Sequence, residues 1–299
     1  MTEGETTEPR RWPSRRSVLI AGASGLGLAG VAAGTAAGVL PSMQRVLGVT
    51  SSTPATRLGV ARTERVWSRY RNRTVELVVM LPSKSPPANL PMALLLHGLR
   101  GRARSAAPTG TLAELGGQTA QKRIPPYGFI AVDGGDNYWH EKTPGDDPMG
   151  MVLEEVPQWL RERGLGGPDG LPFACAGMSM GGFGSLVYAR RRVERRQPLN
   201  ALGLMAPALM LSWTEMSKRR AFRDEADWAS MDPLRNLDAI KDVPTALWCG
   251  TEDSFISGAR RFIAAVQPEV AYTAKGRHGD SFNRTIVPSL VRFLGRHRG

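Results

Sequence analysis

A serine flanked by glycines, Gly177-Met178-Ser179-Met180-Gly181, is the segment of this chain best suited to covalent chemistry. A serine hydroxyl is a weak nucleophile at neutral pH. It needs a base within hydrogen-bond reach and a third group to orient that base. The G-x-S-x-G pattern alone is weak, because a chain with 34 glycines can meet it by chance. Its context is stronger. It follows a short apolar run, residues 173–176, and leads into Gly182-Phe183-Gly184-Ser185-Leu186-Val187-Tyr188-Ala189, which reads as a helix. A strand turning sharply into a helix presents the serine on a strained turn and needs glycine on either side. The free N–H groups of the helix start then face developing negative charge.

The chain has four histidines to supply the base. His297 lies in the basic tail Arg296-His297-Arg298 and is expected to be solvated. His97 closes the apolar run 92–96 and is expected to pack or hydrogen-bond behind the loop that follows. His140 comes directly after Tyr138-Trp139. His278, in Gly276-Arg277-His278-Gly279-Asp280, is the only histidine beyond Ser179 that follows a plausible strand, residues 270–272. It is the expected general base. The orienting acid should end a strand between the serine and that histidine. Thr251-Glu252-Asp253-Ser254, after the run 245–248, supplies it: Asp253 is preferred, with Glu252 the nearest rival. Its role is to fix the histidine tautomer and stabilise the imidazolium. Two backbone donors must hold the oxyanion. Met180 N–H, next to the nucleophile, and Leu99 N–H, in His97-Gly98-Leu99-Arg100, are the expected pair. This set implies no metal and no cofactor.

Something must hold these residues at one edge. The runs 75–81, 92–96, 129–132, 173–176, 201–205 and 245–248 are short and apolar, and most end in a Gly- or Pro-containing turn. Continuous apolar runs are what strands covered on both faces show. Alternation with helical stretches predicts an α/β fold, a mostly parallel central sheet with helices on both faces. Ligands bind such sheets at the carboxyl ends of the strands, where Ser179, Asp253 and His278 fall. Cys175 and Cys249 also lie in or beside these strand ends and are expected to be buried small hydrophobes.

The chain is 41% hydrophobic with a net charge of +12, enough for a packed core. That excludes a wholly disordered chain and a disulfide scaffold. Residues 1–47 read separately. Arg15-Arg16 stand directly before the uncharged, Gly/Ala-rich run 17–44, the pattern of a twin-arginine export signal. If uncleaved, the run is long enough to anchor in a membrane. Gly25-Leu26-Gly27-Leu28-Ala29-Gly30 fits G-x-G-x-x-G but has neither the preceding strand nor the amphipathic helix that dinucleotide binding requires. Residues 48–57 read as a linker and 58–299 as the catalytic domain. The run Arg190-Arg191-Arg192-Val193-Glu194-Arg195-Arg196 reads as a solvated face, and no recognition module accompanies it, so no nucleic-acid partner is expected. The basic balance suits association with a membrane or anionic cell envelope. Residues 212–237, rich in Trp, Met and Arg, sit where a small cap is expected.

His97-Gly98-Leu99-Arg100, Asp133-Gly134-Gly135 with Tyr138-Trp139-His140, Gly177 to Gly182, Gly250 to Asp253 and His278-Gly279 together resemble the putative-esterase group of α/β-hydrolases, over about residues 70–294. That group includes esterase D (S-formylglutathione hydrolase) and the secreted mycolyltransferases of actinobacterial cell walls. The resemblance implies the α/β-hydrolase fold, the chain order Ser-Asp-His, and serine-dependent hydrolysis of a small-molecule or lipid ester. Gly98-Leu99-Arg100 is similar to the mycolyltransferase oxyanion loop. His97, however, stands where those enzymes usually carry an acid and Asp253 where they carry a glutamate, so hydrolysis is expected over mycolate transfer. Arg100, Tyr138 and Trp139 are the expected substrate-binding residues. The loop 136–140 with Asp146 and Asp147 either lines the acyl pocket or is a packed polar loop. Two alternatives stand beside the esterase: an acyltransferase acting on envelope lipids or sugars, and a non-catalytic envelope-binding protein on the same fold.

Overall fold

The computed structural model describes residues 59–299. The export or anchor segment 1–47 and the linker 48–57 lie outside the described residues. Eight strands form one sheet: β1 (Val60–Ser68), β2 (Arg73–Leu81), β3 (Met92–Leu96), β4 (Gly128–Val132), β5 (Ala174–Met178), β6 (Ala201–Met205), β7 (Thr245–Gly250) and β8 (Val270–Ala274). Their spatial order is β1-β2-β4-β3-β5-β6-β7-β8. β1 and β2 pair antiparallel, as do β2 and β4, and every pairing from β4 to β8 is parallel.

The strands of the middle of the sheet are apolar throughout because both of their faces are covered. In β3, Met92, Leu94 and Leu96 enter one core and Ala93 and Leu95 the other, all fully buried. Burying a leucine side chain contributes about 1.5–3 kcal/mol, so this strand alone anchors both layers. The helices, in chain order, are α1 (Thr111–Ala120), a single turn α2 (Pro148–Gly150), α3 (Val156–Glu162), α4 (Met180–Glu194), α5 (Trp213–Ser217), α6 (Glu225–Met231), α7 (Ile256–Val266) and α8 (Asp280–Arg296). Helix α4 packs Phe183, Leu186 and Val187 into the first core, where Phe262 of α7 also lies. Helix α8 packs Ile286, Leu290 and Leu294 into the second, and α1 adds Leu115. The sheet is therefore the expected mostly parallel one with helices on both faces.

β1 was not marked by any apolar run. It is an edge strand paired only to β2, and Arg62, Glu64 and Arg65 face solvent. Charge on an exposed edge discourages pairing with another chain. The segment 212–237 forms α5, α6 and a short 3-10 turn, with Trp213 stacked on the buried Trp228 at 6.2 Å. Among the described residues no helix is long and apolar enough to cross a membrane.

Two expectations about charge are corrected. The basic run at the end of α4 is not uniformly solvated: Arg190 and Arg192 are buried. Arg192 donates to the carbonyls of Pro172 and Gln197 and to the Tyr188 hydroxyl, at 3.1, 2.8 and 2.8 Å, and Arg190 donates to the Ser230 carbonyl at 2.9 Å. A guanidinium offers five donors on a long apolar stem, so it can satisfy stranded carbonyls beneath a helix end. His297 is likewise partnered rather than free in solvent. Its Nε2 lies 2.8 Å from a Glu269 carboxylate oxygen and its ring packs against Phe293.

Candidate active site

Ser179 sits between the end of β5 and the start of α4, with φ 57° and ψ −119°. Holding a non-glycine residue in such a conformation costs about 1–3 kcal/mol, which the surroundings must offset. They do so through hydrogen bonds on both sides of the turn. Ser179 N–H donates to the Met205 carbonyl at 2.9 Å, and its own carbonyl accepts from Ala208 N–H at 2.9 Å. A Cβ on Gly177 would run into the Gly181 carbonyl oxygen, and one on Gly181 into that of Leu96. Close approach of three backbone segments is thus what demands the two glycines. Backbone strain recurs along this edge. Arg100, Tyr138, Trp139, Ser179 and Ala206, which follow β3, β4, β5 and β6, all have positive φ.

His278 follows β8, and Asp253 follows β7. The two turns are tied together: Thr251 N–H donates to the Ala274 carbonyl and Glu252 N–H to that of Gly276, at 2.8 and 2.9 Å. This brings the His278 Nδ1 to 2.7 Å from Asp253 Oδ2. A carboxylate only accepts, so Nδ1 carries the proton and Nε2 keeps its lone pair. The Asp253 side chain is fully buried, whereas that of His278 is 33% exposed. The second carboxylate oxygen of Asp253 accepts from Phe255 N–H at 2.9 Å, and the Phe255 ring meets His278 edge-on at 5.0 Å. Phe255 therefore braces both members of the pair, a role its position in the sequence did not announce. Glu252, the rival acid, is exposed and faces Arg277 instead. Among the described residues no hydrogen bond joins Ser179 Oγ to His278. Such contacts are often loose without substrate and tighten in the complex.

The loop after β3 lies against the nucleophile: a Cβ on Gly98 would sit 3.4 Å from that of Ser179. Leu99 N–H and Met180 N–H, the expected donor pair, have no acceptor among the described residues. The next residue fixes the loop. Arg100 has φ 61°, and its N–H is held by Asp136 Oδ1 at 2.6 Å, leaving the guanidinium exposed at the rim. Behind the loop lies His97, fully buried. Its Nε2 accepts from Gly134 N–H at 2.9 Å, so Nδ1 is the protonated nitrogen and donates to the Gly98 carbonyl at 2.8 Å. Burial holds its pKa below the ordinary value of 6.5.

Tyr138 and Trp139 do not line a substrate pocket, which corrects the expectation for both. Trp139 is fully buried, its indole over Gly134 and Gly184 and its N–H on the His97 carbonyl at 3.3 Å. Tyr138 is 2% exposed, packed against Phe183 and Phe222, and burial pushes its hydroxyl up to about 12. His140 is buried too, stacked on Phe222 and bonded to the Ala221 carbonyl at 2.8 Å. Asp146 pairs with Arg71 and Arg73, and Asp147 caps the Gly150 N–H at 2.8 Å. The packed-polar-loop reading therefore describes this segment. Cys175 and Cys249 are buried free thiols, raised to about 12 chiefly by burial, and lack the depressed pKa of a nucleophile.

Solved structures share this architecture. A ferulic acid esterase superposes with a TM-score of 0.66 at 16% identity, over 80% of this chain and 99% of its own. The S-formylglutathione hydrolase of Agrobacterium tumefaciens does so with a TM-score of 0.61 at 15% identity, over 81% and 97%. The fluorophosphonate-binding serine hydrolase F of Staphylococcus aureus gives 0.57 at 16% identity, over 79% and 99%. At these identities the likeness is one of fold. No curated protein matches the sequence. The family model described as "Putative esterase" matches residues 68–271, more than half of the chain. The chain belongs to that esterase family and has the α/β-hydrolase fold.

Proposed function

We propose that this chain is an exported serine esterase working through an acyl-enzyme on Ser179, with His278 as general base and Asp253 as its orienter. The observation that carries this reading is the 2.7 Å bond from His278 Nδ1–H to a fully buried Asp253, which leaves Nε2 free on the same strand-end edge as the Ser179 elbow. In the first step Nε2 takes the Ser179 proton while Oγ bonds to the ester carbonyl carbon. The oxyanion formed accepts from Leu99 and Met180 N–H, and collapse expels the alcohol, which takes the proton from His278. Water, deprotonated in the same way, then releases the acid. Each oxyanion donor contributes about 10²–10³ in kcat in comparable sites.

A fluorophosphonate probe tests the core of this reading. It should label the wild type at Ser179 and leave Ser179→Ala unlabelled, and p-nitrophenyl esters from acetate to palmitate should be turned over only by the labelled form. No labelling and no turnover would replace the enzyme with the envelope-binding alternative. Solvent-exposed residues around the site, Arg100, Ser254 and Arg277 among them, favour water as acceptor. Partition of the acyl-enzyme between water and added glycerol or trehalose checks this, and dominant acylated sugar would favour the acyltransferase. Export rests on Arg15-Arg16 before the uncharged run. Replacing both by Lys should leave folded protein in the cytoplasm, whereas continued export would point to another route.

A further inference from the structure

A cavity of about 490 Å³ opens between the loop after β6 and the turn after β7, with Leu209, Ser212, Lys218, Arg219, Phe255 and Ser257 in its wall. That is the volume range of a small-molecule site. It adjoins the candidate triad through two contacts. Leu209 follows Ala208, whose N–H holds the Ser179 carbonyl, and Phe255 is the residue that bonds Asp253 and packs on His278. The cavity is thus separated from Asp253 and His278 by the Phe255 side chain that forms part of its wall.

The wall carries an excess of positive charge. Arg219 holds its guanidinium 5.8 Å above the Phe255 ring, stacked on the wall that backs His278. Among the described residues neither Lys218 nor Arg219 forms an ion pair, in common with Arg220, Arg260 and Arg261, whereas Arg223 pairs with Asp227 and Arg277 with Glu252; of the unpaired cations, Lys218 and Arg219 are the two in this wall. The single carboxylate of the wall, Glu215, lies 3.4 Å from Leu211 N–H, within its own turn. Two unmatched cations, one acid and three serine hydroxyls (Ser212, Ser254 and Ser257) fit a ligand with negative charge better than a plain hydrocarbon chain.

We propose that this cavity receives an anionic group of the substrate, a carboxylate or its like, on the acyl or the alcohol side of the ester, with Arg219 and Lys218 determining the preference. The inference rests on the esterase reading above. Arg219 brings a planar fork to the charge and Phe255 the apolar surface for the carbons between the charge and the ester.

Two matched substrate pairs test it. The monoester of adipate with p-nitrophenol against p-nitrophenyl hexanoate places the charge on the acyl side. The butyrate ester of p-hydroxyphenylacetate against that of p-ethylphenol places it on the alcohol side. For one of the pairs the wild type should favour the anionic member in kcat/KM by about tenfold or more, the scale of one charge-assisted hydrogen bond. The ratio should fall toward one in Lys218→Gln/Arg219→Gln, survive only in part in Arg219→Lys, which keeps the charge but not the planar fork, and shrink in the wild type as salt rises. Using the ratio within each variant cancels any general effect on His278 through Phe255. Ratios near one in both pairs, or a preference untouched by the double substitution and by salt, would overturn the proposal. Neutral esters turned over with Ser179 labelled would still stand in that case, so the cavity can fail while the esterase survives. Loss of labelling and of all turnover would instead sink both.

Discussion

His97 directly follows β3 and His278 comes four residues after β8, on the same edge of one sheet, and their surroundings are opposite. His97 is fully buried, with one nitrogen accepting from Gly134 N–H and the other donating to the Gly98 carbonyl. Nothing on it is left to move a proton. The His278 side chain is a third exposed, with one nitrogen on Asp253 and the other unengaged. A histidine bonded on both nitrogens is a bracket for backbone, and one bonded on a single nitrogen is a base with a fixed tautomer. Between them lies Ser179, so one histidine shapes the loop that carries Leu99 and the other, on the proposed mechanism, faces the chemistry.

The largest effects should follow the free nitrogen. Ser179→Ala and His278→Ala should each cut kcat by about 10⁴–10⁶, and the double variant should lose little more, because the two act as one unit. If His278→Ala kept half of the activity, the contrast between the histidines would collapse. Asp253→Asn should follow with about 10⁴ in kcat, since the amide no longer fixes the productive tautomer. Glu252→Gln should change little by comparison. Steady-state rates on one p-nitrophenyl ester rank all of these, and the reverse ranking of the two acids would hand the orienter role to Glu252.

Ser179 and Asp253 could be proposed from the sequence because each follows an apolar run that the sheet buries on both faces, whereas β8, before His278, is a largely exposed edge strand. β3 and β6 coincide with the runs 92–96 and 201–205, and β7 begins with the run 245–248 and continues two residues beyond it. β1 could not be read this way, since an edge strand studded with Arg62, Glu64 and Arg65 buries little on either side. Tyr138 and Trp139 failed for another reason. Both adopt positive φ, a conformation bulky residues seldom take, and that turns their rings inward from a segment that reads as polar loop. Arg192 was misread as solvated because its partners, Pro172 and Gln197, are stranded carbonyls that no side-chain pattern reveals. The Tyr188–Arg192 pair, one helical turn apart, was the available hint. Phe255 and the Lys218–Arg219 pair gave no signal at all, since their meaning depends on which strands are neighbours.

The bracket should reveal itself in stability before activity. His97→Ala strands Gly134 N–H and the Gly98 carbonyl and leaves a hole beside Trp139, a loss of about 2–4 kcal/mol in urea unfolding. As the loop carrying Leu99 loosens, kcat should fall by about tenfold to a hundredfold, well short of His278→Ala. An unchanged unfolding midpoint with activity abolished would mean that His97 acts on the substrate rather than on the loop.

The smallest effect is also the one most specific to burial. In the fold both His97 and His140 are held below 6.5, chiefly by desolvation, which disfavours the charged ring. On acidification the unfolded chain therefore takes up its protons first. Below about pH 6.5 it binds more protons than the native state, and stability falls with pH until the folded-state values are reached. Above that range both rings are neutral in both states and the contribution is flat. Each histidine can add a slope of at most about 1.4 kcal/mol per pH unit. Urea midpoints taken from about pH 7 down to about pH 5 should thus decline in the wild type, less steeply in His97→Gln, and least in the variant that also carries His140→Gln. Equal slopes in all three would mean that water reaches these rings in the native state. The buried bracket and the exposed base would then differ only in their partners and not in their surroundings.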